Sequence, residues 1–319
     1  MSSRWILPAT VAVAVAIGIA FSQWESRTLP VEFERSISSP AHGLTRIKFS
    51  ADGLSLFAAS GEGHVVHWAM PGNSGGEALS PAGGAPISVL GLSSDGLVLA
   101  GDLSGRLRLW ELPALTPVET QSPAVPSTSV IFRSQSEQKQ LFLGMAEGRI
   151  VTIDETGITP RASGHQSVKA LLLNAQQTQL ISGGAEGDLI WYDLEAEQLL
   201  DRQRVHTAEI SALLLSPDGH SIISADWNGG VRVTTADSRK LIAAFSQPDA
   251  ISAITMRGQK IVTGSWDGHI RIWAIDGETG RLISDINTGL PVLDMSLTPD
   301  SRSAATVSGN NRVEFWTLP

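Results

Sequence analysis

The chain has 319 residues, a mass of 33.8 kDa and a formal net charge of −9. Its 42% hydrophobic content against 17% charged permits a large core and argues against disorder, while the acidic balance supplies no electrostatic footprint for nucleic acid. The absence of cysteine excludes disulfides, thiolate metal sites, a cysteine nucleophile, c-type haem attachment and a lipoprotein anchor.

Residues 1–28 are a different material from the rest. Met1-Ser-Ser-Arg4-Trp5 precedes an apolar run of 16 residues, Ile6 to Phe21, interrupted by Pro8, Thr10 and Gly18. A membrane span needs about 20 residues, and the interfacial Trp5 and Trp24 bring residues 5–24 close to that. Arg4 predicts an N-terminus on the cytoplasmic side. A cleaved secretory signal competes with this reading, with Gly18 and Ala20, or Ala20 and Ser22, flanking the cut. The tryptophan flanks favour one N-terminal transmembrane anchor over the signal. Either way residues 29–319 are exported, which in a bacterium means a periplasmic domain tethered to the inner membrane, or soluble if cleaved.

Next comes Leu29 to Ile37, an alternating strand with Val31, Phe33 and Arg35 on one face and Glu32, Glu34 and Ser36 on the other. Seven segments then recur, each a Gly-rich turn feeding an apolar strand: Ser60 to Trp68, Asp102 to Trp110, Met145 to Ile153, Gly184 to Tyr192, Asp226 to Thr234, Ser265 to Trp273 and Ser308 to Trp316. Their ends are spaced by 42, 43, 39, 42, 39 and 43 residues, the length of a four-stranded propeller blade. Before each lies an apolar strand closed by a polar turn, as in Ile210–Ser216 followed by Pro217-Asp218-Gly219. Weaker fourth strands follow at Leu199–Gln203, Leu241–Phe245 and Leu282–Ile286. The last repeat stops at Trp316-Thr-Leu-Pro319 with no fourth strand of its own. The expectation is an all-β, seven-bladed propeller of four-stranded antiparallel blades, in which Leu29 to Ile37 supplies the missing outer strand and removes the open edge. The stretches Pro71–Pro86 and Pro113–Pro126 read as long flexible loops.

The run Thr263-Gly-Ser-Trp-Asp-Gly-His-Ile-Arg-Ile-Trp273, with Gly164-His165 further upstream, resembles the WD-repeat family of β-propellers. The resemblance covers about Val31 to Pro319. It implies a buried His–Ser–Asp–Trp hydrogen-bond network, for which blade four offers His165, Ser182, Glu186 and Tyr192. Blade six offers Thr263, Asp267 and Trp273 but no matching histidine. It also gives His165 and His206 a structural role, and Trp68, Trp110, Trp273 and Trp316 one repeated core position.

No nucleophile, base and orienting group converge in the sequence. His64 and His67 have the look of a metal pair, but an offset of three in a strand places them on opposite faces. The Gly-rich turns recur once per blade without the strand–loop–helix context of a phosphate loop, and the Ser-x-Asp-Gly runs offer too few oxygen ligands for calcium. No catalytic residue, metal or cofactor is therefore assigned.

A binding ring fits better. Seven places before each Trp position stand Gly61, Leu103, Ala146, Ala185, Trp227, Trp266 and Gly309. Adjacent blades five and six thus carry tryptophan at a loop tip, where a large rigid group with one polar handle suits a protein interface. The plainer alternative is that each indole only covers a neighbouring loop. Four places before stand His64, Arg106, Arg149, Asp188, Gly230, His269 and Arg312. In a domain one unit more negative than the chain once Arg4, Glu25 and Arg27 are set aside, these basic groups would suit an acidic peptide or anion, or simply a solvated strand start. The reading is a non-catalytic protein-interaction scaffold, an accessory or assembly subunit of a membrane or periplasmic complex. The alternatives are a propeller enzyme or small-ligand binder using the central channel, and a subunit held mainly by its membrane helix.

Overall fold

The computed structural model describes residues 32–70, 72, 75–79, 84–135 and 138–318. The membrane-anchor expectation for residues 5–24, and Leu29 to Val31 of the closing strand, lie outside them. Among the described residues no helix is long and apolar enough to cross a membrane.

Every described element is a strand, and the strands form seven four-stranded antiparallel sheets. We label the strands of a blade a to d from the inside out. Blade one is Leu44–Phe49, Ser55–Ser60, Val65–Ala69 and Glu77–Ala78; blade two is Ile87–Leu92, Leu97–Asp102, Leu107–Glu111 and Thr116–Val118. Blade three is Ser127–Gln135, Gln138–Met145, Arg149–Asp154 and Gly157–Ala162; blade four is Val168–Leu173, Gln179–Gly184, Asp188–Asp193 and Gln198–Arg204. Blade five is Ile210–Leu215, Ser221–Asp226, Gly230–Thr235 and Leu241–Ser246; blade six is Ile251–Arg257, Lys260–Ser265, His269–Asp276 and Thr279–Asn287. Blade seven is Asp294–Leu297, Ser303–Val307, Arg312–Thr317 and, from the other end of the chain, Glu32–Ser38. Each strand a touches the strand a of both neighbours, and the first meets the last, so the ring is closed.

The closing strand pairs with Arg312–Thr317 as expected, Phe33 opposite Trp316 and Ile37 opposite Val313. Its predicted alternation needs correction. A bulge at Glu34, between Phe33 and Arg35, shifts the register, and such a bulge resets which side chains face inward. Ile37 is therefore buried, while Phe33 stays 55% exposed with its ring edge-on to Trp316 at 5.5 Å, and the Arg35 guanidinium lies over Phe315.

The two stretches read as long loops are also corrected. Each holds the short outer strand of its blade, Glu77–Ala78 and Thr116–Val118. These pairings are hidden in sequence because two or three residues carry no periodicity.

Packing between blades uses the strand-c side chain at the Trp position, turned toward the preceding blade. Trp68 packs with Val313 and Phe315 of blade seven, Trp110 with Phe57 and Val65 of blade one, and Trp273 with Val231, Val233 and Phe245 of blade five. Each is at most 7% exposed, as is Trp316.

One glycine is demanded by the turn between strands b and c. Gly187 has φ +85°, and a Cβ there would sit 2.3 Å from the His206 carbonyl. Gly63, Gly105, Gly148, Gly229 and Gly268 hold the same place with φ between 78° and 84°. Left-handed backbone and a backbone collision act together here. Gly187→Ala is expected to destabilise by about 2 kcal/mol or more, read as a lowered urea midpoint.

Candidate functional site

In five blades the b–c turn is tied to the loop entering strand a. The amide seven places before the Trp position donates to that loop: Gly61 to the Gly43 carbonyl, Leu103 to Pro86, Ala185 to Ser167, Trp227 to Glu209 and Trp266 to Ala250, all at 2.9–3.1 Å, while Gly309 of blade seven donates to Leu44 at the start of blade one. This recurring bond sets the b–c turns beside the loops that enter strand a. It also uses the backbone of Trp227 and Trp266 for the scaffold and leaves their side chains free.

Those two side chains meet. The ring centroids of Trp227 and Trp266 are 5.7 Å apart at an interplanar angle of 49°. They remain 40% and 43% exposed, unlike Trp191, which is fully buried. No described residue hydrogen-bonds either indole N–H. Leu290, 43% exposed, follows on the same face in the loop leading to blade seven.

The basic residues four places before the Trp position divide. Arg106 and Arg312 are exposed and have no carboxylate partner among the described residues. Arg149 is paired with Glu147, and His269 Nδ1 lies 2.6 Å from Asp285. Asp188 binds Arg202 at 2.6 Å, and His64 is half-buried with Nδ1 unbonded. Local carboxylates thus offset part of the positive ring that the sequence suggested. Beneath Trp266, the buried Arg271 bridges Asp267 at 2.8 Å and Asp285 at 3.3 Å. Asp267, which also accepts from the His269 amide at 3.1 Å, ties the turn that carries Trp266 to strand c.

The histidine networks lie directly under the rim. In blade four, His165 Nδ1 faces Glu186 at 3.3 Å and Nε2 faces Ser182 Oγ at 3.0 Å. Tyr192, the fourth predicted member, is engaged elsewhere and accepts a bond from Arg161. Blade five holds a tighter set that the sequence reading left unassembled. His206 Nδ1 lies 2.8 Å from Asp226 and Nε2 2.7 Å from Ser224 Oγ, with Thr234 where a tryptophan would complete the network. The acid comes from two different places, the end of strand b in blade five and the turn after it in blade four. Gly184 explains this, since a Cβ there would strike the His165 ring. Burial pushes both histidines below the ordinary value, against the opposing pull of Glu186 and Asp226. In blade six the missing histidine is replaced by Gln247, which accepts from Thr263 at 2.7 Å while Thr263 accepts from Trp273 Nε1 at 3.1 Å.

The central channel assembles no reaction centre among the described residues. Strand a is bulged after its first residue in six blades, and the bulge holds Thr45, Ser88, Thr128, Lys169, Ser211 or Ser252. The Ser88, Thr128 and Ser252 hydroxyls donate to strand-b carbonyls, of Gly101, Gly144 and Gly264, instead of standing beside a base. Lys169 is paired with Glu209 at 3.0 Å and Lys48 with Asp294 at 3.8 Å. His67, the other half of the suspected metal pair, lies against Phe57 and bonds Ser55, with burial pushing its pKa down. No group of three His, Asp or Glu side chains is placed to hold a metal among the described residues.

Comparison with known proteins agrees with this architecture. The family described as "WD domain, G-beta repeat" matches residues 197–234 and 239–274. Each match runs from a strand d through strands a to c of the next blade, and together they contain Trp227 and Trp266. Cilia- and flagella-associated protein 52 of Mus musculus is 25% identical over 204 residues, 61% of this chain and 32% of that protein. Pre-mRNA-processing factor 19 of Caenorhabditis elegans is 28% identical over 156 residues, 48% of this chain and 29% of that protein. This chain therefore spans about a third of the length of the curated relatives it matches. The solved β-propeller domain of Myceliophteria thermophila Cps50 (Swd1) superposes with a TM-score of 0.79 at 16% identity, covering 91% of this chain and all of that one. The chain is a seven-bladed β-propeller that carries WD repeats.

Proposed function

We propose that this propeller is a non-catalytic protein-interaction platform whose partner docks on the rim over Trp227 and Trp266. The observation that carries the reading is the pair of touching, 40–43% exposed indoles, with free N–H groups, on turns fixed by backbone bonds and the Arg271 ion pairs. Such rigid aromatic anchors lose little entropy on binding and dominate interface energies. Arg106 and Arg312 add charged contacts on the same face, with Arg149, His64 and His269 between them. Residues 5–24 would tether the ring to a membrane, N-terminus cytoplasmic and propeller periplasmic, as an accessory subunit of a membrane or periplasmic complex.

Mild-detergent co-purification of the full-length chain tests both parts. The wild type is expected to carry stoichiometric companions and an intact mass starting near Met1. Trp227→Ala and Trp266→Ala are expected to weaken association at least tenfold, about 1.4 kcal/mol or more, at unchanged melting temperature. Retention of every companion by the double variant would remove the rim from the interface. A soluble chain beginning near residue 21 or 23 would remove the tether.

A further inference from the structure

The seven blade junctions are not filled alike. At the junctions of blades five with six and six with seven, strand c supplies an indole whose N–H donates to a strand-b threonine: Trp273 to Thr263 at 3.1 Å and Trp316 to Thr306 at 2.9 Å. At the junction of blades four and five, Thr234 holds the Trp position, and Trp191 of blade four fills the space, packed on Ile210 and Ile222. At the junction of blades three and four a cluster of Phe142, Ile150, Leu171 and Leu180 packs, but no indole joins it. Tyr192 stands at the Trp position, but its hydroxyl is taken by Arg161 at 3.2 Å. Arg161 is itself out of pattern. It occupies the strand-d register at which blade five has Phe245, the residue lying 4.9 Å from Trp273. A Tyr–Arg pair has replaced a Trp–Phe pair.

What remains is a cavity of about 280 Å³, walled by Phe142, Ile150, Leu180, Ile190, Leu194 and Leu199. That is about twice the size of a dry engineered cavity that accepts benzene. Arg161, Ser163, Ser182 and Tyr192 add polar groups to its wall, and of these Ser182 is the acceptor placed for a ring N–H. Ser182 holds the strand-b place of Thr263 and Thr306, opposite Ile190 as Thr263 is opposite Arg271. Glu186 accepts from His165 Nδ1, which fixes Nε2 as an acceptor, so the Ser182 hydroxyl donates to it at 3.0 Å. The lone pairs that in blades six and seven receive an indole N–H are left facing the cavity.

We propose that the cleft between blades three and four binds a small planar aromatic molecule bearing a ring N–H, of the indole class, with its N–H donated to Ser182. The mainly apolar walls supply affinity and Ser182 supplies orientation, the usual division of labour in a ligand pocket. This site is separate from the Trp227–Trp266 rim and stands or falls independently of it.

Titration of the full chain with indole, followed by amide chemical shifts and by calorimetry, tests the assignment. Indole is expected to bind saturably, to perturb residues around Phe142, Ser182 and Ile190, and to raise the melting temperature. Benzofuran, the same shape without the N–H, is expected to bind about three- to tenfold more weakly. Tyr192→Trp fills the cleft from within and is expected to abolish binding. No saturable shift at the solubility limit of indole, or shifts confined to other blades, would overturn the site whether or not that variant folds. Equal binding of indole by a folded Tyr192→Trp chain would do the same, and equal affinity for benzofuran would overturn the role of Ser182.

Discussion

Removing Glu32–Ser38 is expected to have the largest effect of any short deletion, because it reopens a closed ring. The strand contributes six register pairs to Arg312–Thr317, the buried Ile37, the edge contact of Phe33 on Trp316 and the Arg35–Phe315 contact. Without it the backbone of Arg312–Thr317 becomes an unpaired edge, and such edges recruit other chains. The last blade would then fray, and the repeats, each stabilised by its neighbours, would lose cooperativity from that end. The expected readout is a broad, early urea transition together with oligomers on size exclusion. Point changes should follow burial. Ile37→Ala should cost about 2–4 kcal/mol, Ile37→Asp more because it buries an unpaired charge, and the half-exposed Phe33→Ala about 1 kcal/mol or less. A synthetic Leu29–Ser38 peptide should rescue the deletion by adding the strand in trans. A monomeric deletion variant with the native midpoint would show that the closure contributes nothing.

The blade count and the closing strand were legible because both rest on periods. Strand c repeats an apolar alternation ending at Trp68, Trp110, Trp273 and Trp316, and the orphan strand at one end matches the missing strand at the other. What stayed hidden has no period. The Glu34 bulge and the bulges at Thr45, Ser88 and their equivalents are register shifts set by how two strands meet, so neither strand alone encodes them. The rim was half legible. Tandem tryptophans at equivalent loop tips could be read from spacing, whereas their 5.7 Å contact depends on the angle between adjacent blades. The blade-five network was missed for a similar reason. Asp226 sits two places from where the family pattern seeks its acid, and only the folded turn shows it reaching His206. Likewise, nothing in the sequence marks Trp191 as the substitute for Thr234, or Tyr192 as leaving a junction without an indole.

That blade-five network should dominate the response to mild acid. His206 is 2% exposed, and its partner Asp226 also accepts from the amides of Asn228 and Gly230 at 2.9 and 2.7 Å. One carboxylate thus holds the histidine and the turn that begins with Trp227. Asp226→Ala should cost about 1–3 kcal/mol, because it leaves the buried His206 ring and the turn amides unsatisfied, and should loosen the rim with it. Burial holds the folded pKa of His206 and His165 below the unfolded value of about 6.5. Between those values the unfolded chain binds a proton that the folded chain refuses, so stability is full above about pH 6.5 and falls as pH drops through that window. The carboxylates of Asp52, Asp218 and Asp300 are held low by hydroxyls of Ser50, Ser216 and Thr298, so their contribution is lost only below about pH 4. Glu314, pushed up by burial, acts in the opposite sense. The urea midpoint should therefore be level from pH 7.5 to about 6.5 and decline below it. Blade six supplies the control, since Gln247 does the acceptor's work there without a titrating ring. His206→Gln should keep the bond from Ser224, cost less than His206→Ala, and remove part of the slope; adding His165→Gln should remove more, leaving the share of the half-buried His67, whose pKa burial also lowers. An unchanged slope in the double variant would assign the acid sensitivity to other groups.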